Sequence, residues 1–76
     1  MITFASAVEV GDFVQIRQHR AQERYRTMWW KVLARRSTGT MDVLELINRR
    51  GERGRYAGQH VKVNKWTPGE DNRDGV

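Results

Sequence analysis

Apolar and polar residues alternate along VGDFVQIR (10–17), where Val14 and Ile16 are separated by Gln15 and followed by Arg17. Period two predicts a half-buried strand, and Gly11-Asp12 punctuates its start. The next segment, QHRAQERYR (18–26), holds one alanine and one tyrosine among polar residues. A short helix fits there, but a long hairpin loop is the preferred reading, because no apolar stripe would anchor a helix. TMWWKVLARR (27–36) is the clearest strand, with Met28, Trp30, Val32 and Ala34 on one face and Thr27, Trp29, Lys31, Leu33 and Arg35 on the other.

STGT (37–40) reads as a turn. MDVLELIN (41–48) is apolar on both parities, which suits a strand covered on both faces or a short helix. The strand is preferred, because NRRGERG follows with two glycines at turn spacing. RYAGQHVKVNKW (55–66) ends the pattern: Val61 and Val63 alternate with His60, Lys62 and Asn64, and Ala57-Gly58-Gln59 is read as one tight turn before the last strand. The remaining TPGEDNRDGV holds the only proline and three acids, so 67–76 is expected to be a disordered acidic tail after a single domain over 1–66.

The expected fold is all-β, with five short strands, a long first loop and a break before the last strand. This layout resembles the SH3-like small β-barrel over about residues 8–66. VGDFVQIR is similar to the opening strand of such barrels and WWKVLARR to the second. NRRGERG then joins strands three and four, and AGQHVKV forms the turn and final strand. The group includes integrase C-terminal domains, KOW-type and Tudor domains, and peptide-binding SH3 domains. The resemblance implies a binding module. The first loop carries Arg20, Arg24 and Arg26 against Glu23, so the acidic complement for a basic proline-rich ligand is missing. The KOW glycine pattern is also not evident.

Charge sharpens the functional reading. The chain has 76 residues and a net charge of +5. Residues 1–66 hold thirteen basic against six acidic side chains, a local +7, and ten of the thirteen are arginine. Arginine's planar fork suits phosphates and stacks on bases, so a polyanion partner, DNA or RNA, is expected. There is no cysteine, which excludes disulfides and thiolate metal sites. His19 and His60 lack ligand spacing and read as surface polar residues. No apolar run has the length of a bilayer span, and the N-terminus lacks the pattern of a signal peptide. A cytoplasmic location without membrane contact is expected.

Catalysis is not expected. Ser6 and Ser37 have no histidine near them in sequence. Asp42 and Glu45 suggest at most a Mg²⁺ pair, and read better as solvated strand carboxylates. A small barrel has little room for a deep pocket, so neither a cofactor nor a small-molecule substrate is expected. The binding candidates are Arg20, Arg24, Arg26, Trp29, Lys31, Arg35, Arg36, Arg49, Arg50, Arg53, Arg55, Tyr56 and Lys62. The arginines and lysines are expected on phosphates, with Trp29, Tyr25 or Tyr56 stacking on bases. Trp29 alternatively packs under the 18–26 loop or against Trp66. The competing function is a protein-interaction module in which Trp29, Leu33 and Trp66 dock a partner or a second copy. A Tudor-like cage built from Tyr25, Trp29 and Tyr56 is its variant. Sequence alone does not show whether the arginines of 20–26, 35–36 and 49–55 share one face.

Overall fold

The computed structural model describes residues 1–68, so the expected acidic tail lies outside the described residues from residue 69 onward. The fold is all-β. Six strands form one antiparallel sheet: β1 (Ile2–Phe4), β2 (Phe13–Ile16), β3 (Trp30–Thr38), β4 (Met41–Ile47), β5 (Arg53–Gln59) and β6 (Lys62–Trp66). The sheet order is β1-β6-β2-β3-β4-β5. Five of these match the strands expected from the sequence, although β5 begins at Arg53, within the expected loop NRRGERG, so that Arg53 and Arg55 stand on a strand. The sixth, β1, has three residues, too few to show a period, and pairs along β6.

The sheet must curl on itself. β5 and β6 are joined by only His60 and Val61, yet β2, β3 and β4 lie between them in sheet order. Three bonds fix this closure: His60 N–H donates to Thr40 O at 3.0 Å, Val61 N–H to Asp42 Oδ2 at 3.1 Å, and Ala5 N–H to Val61 O at 2.8 Å. Inside the curl lie Val14, Ile16, Trp30, Val32, Leu44, Leu46, Val61 and Val63, all fully buried or nearly so. Asp12 and Asp42 are buried but satisfied. Asp12 accepts from Glu9 N–H at 2.9 Å and from the Thr67 hydroxyl at 2.9 Å, and Asp42 accepts from the Ser37 hydroxyl at 2.6 Å as well as from Val61.

Three expectations are corrected. The 18–26 segment is not all loop: Glu23–Thr27 form one helical turn, α1. Its anchors are the two residues that seemed too few, Ala21 and Tyr25, which sit four apart and are both buried. Tyr25 packs on Trp30 with ring centroids 4.9 Å apart, and the Trp30 indole N–H donates to Arg24 O at 3.0 Å. Second, Ala34 does not join the core. The pairing of β3 with β4 shifts between Val32 and Ala34, so the parity inverts at this bulge and Ala34 falls outside, opposite Glu45. Third, Ala57-Gly58-Gln59 is no turn, because β5 runs unbroken through it. The turn comes at His60, which adopts a left-handed φ of 46°. Gly58 meets a different need, since a Cβ there would lie 3.1 Å from both the Gln18 side chain and Val61.

Candidate nucleic-acid interface

Residues directly opposite one another in neighbouring strands share a face of the sheet. One such row crosses five strands at one end: Trp66 faces Phe13, Phe13 faces Lys31, Lys31 faces Ile47, and Ile47 faces Arg53. The row lies outside the curl, because the inward positions beside it are Val14, Trp30 and Leu46, all buried. Phe13 and Trp66 stack obliquely, with centroids 4.9 Å apart at 41°. The same end opens into a depression of about 1010 Å³, with walls that include Phe13, Met28, Trp29, Trp66, Arg49, Arg50 and Lys65. Trp29 is 43% exposed there, although its neighbour Trp30 is 0% exposed.

Among the described residues, a local arrangement in NRRGERGRY leaves most cations of this end without an acidic partner. Asn48, 6% exposed, holds the β4–β5 turn from within. Its Oδ1 accepts the N–H groups of Arg50 and Glu52, each at 3.0 Å, and its Nδ2 donates to Glu52 Oε1 at 2.7 Å. Gly51, with φ of 82°, lets the chain reverse. The one acid of the turn is thereby bound to Asn48, and Arg49 and Arg50 are exposed without an acidic partner among the described residues. Arg53 is likewise unpaired among them. Lys65 is the partial exception, with Nζ 4.0 Å from the buried Asp12 carboxylate. The indole Nε1 of Trp66 is buried and has no hydrogen-bond partner among the described residues.

The structure thus gathers Trp29, Lys31, Arg49, Arg50 and Arg53 of the sequence candidates at one end. The others lie elsewhere. Arg20 is at the opposite end, in a smaller depression with Arg17, His19 and His60. Lys62 begins β6 at that end too. Arg24 lies over the Tyr25 ring at 4.9 Å and donates to its hydroxyl at 3.2 Å, while Arg26 donates to Ala21 O at 3.1 Å. Both serve α1. Arg35 and Arg36 stand on the β3–β4 hairpin, where Arg35 donates to the Ser37 hydroxyl at 3.1 Å. Arg55 pairs with Glu45 at 3.1 Å.

Tyr56 is half-buried with its ring against the core, and its hydroxyl donates to Gln18 Oε1 at 2.5 Å. Burial raises its pKa, partly opposed by Arg20. Tyr25 is buried as well; its ring lies 5.9 Å from that of Tyr56, but both pack on the core and not around an open methyl-cation cage. Asp42 points inward and Glu45 outward, so they make no Mg²⁺ pair.

Phe13, Met28 and Lys65 were not among the candidates. Phe13 was legible, since it takes the parity opposite to Val14 and Ile16. Met28 and Lys65 were not, because they share the parity of buried neighbours and reach the depression only where the strands end.

The second glycine of the segment, Gly54, belongs to the core. A Cβ there would lie 2.5 Å from the Tyr25 hydroxyl oxygen, which also accepts the Arg55 N–H at 3.0 Å.

Comparison with known proteins returns no match to a family model, to a curated protein or to a solved structure. Among the described residues no helix is long and apolar enough to cross a membrane, and no group of three His, Cys, Asp or Glu side chains is placed to hold a metal ion.

Proposed function

We propose that this chain is a non-catalytic nucleic-acid-binding module that grips phosphates, stacks aromatic rings on bases and has little sequence specificity. The observation that carries this reading is the end of the sheet where Trp29, Trp66 and Phe13 meet Arg49, Arg50, Lys31 and Arg53, with Glu52 held away by Asn48. Cations beside exposed ring faces are what a polymer of phosphates and flat bases needs. Low specificity is expected because α1, the one α-helix among the described residues, has five residues and its Tyr25 is committed to the core, so it is no recognition helix. The return of β6 beside β2 supports an SH3-like barrel as the scaffold. A gel shift with mixed-sequence DNA and RNA at ~50 mM salt tests the reading. A shifted band is expected, and no shift with any form of either polymer rejects it.

A second reading has its own support. β1 is an edge strand, and its Ile2 and Phe4 are 56% and 49% exposed. An apolar edge of this kind favours pairing with a partner strand or a second copy. Light scattering at two concentrations, with and without oligonucleotide, separates the two: self-association through β1 depends on protein concentration and not on nucleic acid.

A further inference from the structure

We infer that the aromatic end of the sheet takes single-stranded nucleic acid in preference to duplex; the inference rests on the nucleic-acid reading above. The faces of paired bases are covered by their neighbours in the stack, and only their edges reach the grooves. Stacking on a protein ring therefore needs bases that are free of a duplex. Here the rings line a depression, whereas Arg49 and Arg50 stand exposed on the β4–β5 turn, so a duplex can meet those cations without its bases reaching the ring faces.

A single strand meets more. Its bases can settle on Trp29 and on the Phe13–Trp66 pair, which line the same depression. Its phosphates can follow the row that leaves this pair through Lys31 to Arg53. Neighbouring strands lie roughly 4.8 Å apart, so Lys31 and Arg53, two strands apart, are spaced on the order of 10 Å. That run keeps the backbone beside cations while its bases turn toward the rings. The other cationic depression, around Arg17, His19, Arg20 and His60, has no aromatic indole or phenyl ring in its lining, so it offers phosphate contact without stacking. It supplies an internal control.

The test is a fluorescence-anisotropy titration with a labelled ~20-nucleotide strand that cannot self-pair and with the same sequence as a blunt duplex. The strand is expected to bind at least about ten-fold tighter than the duplex. Trp29→Ala should weaken strand binding about five-fold or more, the lower end of a lost stacking contact, and leave duplex binding unchanged. Trp29→Phe should restore most of it. Arg20→Ala should leave the strand-to-duplex ratio unchanged. Equal or tighter duplex binding overturns the inference and leaves nucleic-acid binding standing, as does a Trp29→Ala protein that is folded and binds the strand normally. Failure of both forms to bind overturns both readings.

Discussion

Two adjacent tryptophans have opposite roles. Trp30 is fully buried, stacks on Tyr25 and donates to Arg24 O, whereas Trp29 stands 43% exposed at the mouth of the depression. Trp30→Ala should cost about 3–5 kcal/mol. A chain of this length is expected to have a total stability of roughly 4–11 kcal/mol, so that loss is large. Trp29→Ala should cost less than about 1 kcal/mol, as surface changes do. Urea unfolding of both variants checks the contrast, and similar losses would mean that Trp29 is part of the core. Tyr56 gives a pH signature. Burial raises its pKa, so the fold favours the protonated phenol that donates to Gln18. That contribution is complete below the ordinary tyrosine value of about 10 and is lost as pH rises through the raised folded value. Wild type should therefore lose stability above pH ~10 more steeply than Tyr56→Phe. Parallel thermal-unfolding curves for the two proteins from neutral to alkaline pH would contradict this.

At the scale of elements, the β4–β5 turn links fold to site. Asn48 closes it with three side-chain hydrogen bonds and in doing so takes up Glu52. Asn48→Ala should destabilise the protein by about 1–3 kcal/mol, because two backbone donors and a carboxylate lose their buried partner. It should also weaken nucleic-acid binding, since Glu52 is then free to approach Arg49 and Arg50. A variant with unchanged urea midpoint and affinity would remove this link. β4, apolar on both parities, was legible from the glycines that follow it, whereas period-two alternation made β2, β3 and β6 legible and separated Trp30 from Trp29. It failed at Ala34, because a bulge inverts parity without leaving a mark in residue type. It failed at 57–59, because Gly58 looked like a turn residue but serves close packing, while His60 makes the turn. The helix was missed because a single turn shows only two anchors, Ala21 and Tyr25. Its stability comes from their packing rather than from a stripe.

Across the whole molecule, the arginines serve several tasks. Arg24 and Arg26 brace α1, Arg55 pairs with Glu45, and Arg17 donates to Asn64 Oδ1 at 3.1 Å. Composition counts these with the rest, so a net charge of +5 does not tell how many cations stand free of protein partners. Which cations converge was not readable, because it depends on strand register. That register puts Lys31 and Arg53 in one row with Phe13 and Trp66, and leaves Arg20 and Lys62 at the far end.

The count of converging cations can be read from salt dependence. On single strands each phosphate contact contributes about −0.7 to the slope of log affinity against log salt, so Lys31, Arg49, Arg50 and Arg53 together predict a slope near −3. The decisive measurement is that slope for wild type, for the Arg49→Ala/Arg50→Ala double variant and for Arg20→Ala, using one labelled single strand from ~50 to ~300 mM salt. The account predicts that the double variant is shallower by about 1.4 and that Arg20→Ala matches wild type. A double variant with the wild-type slope, or a wild-type protein that does not bind at the lowest salt, would contradict it.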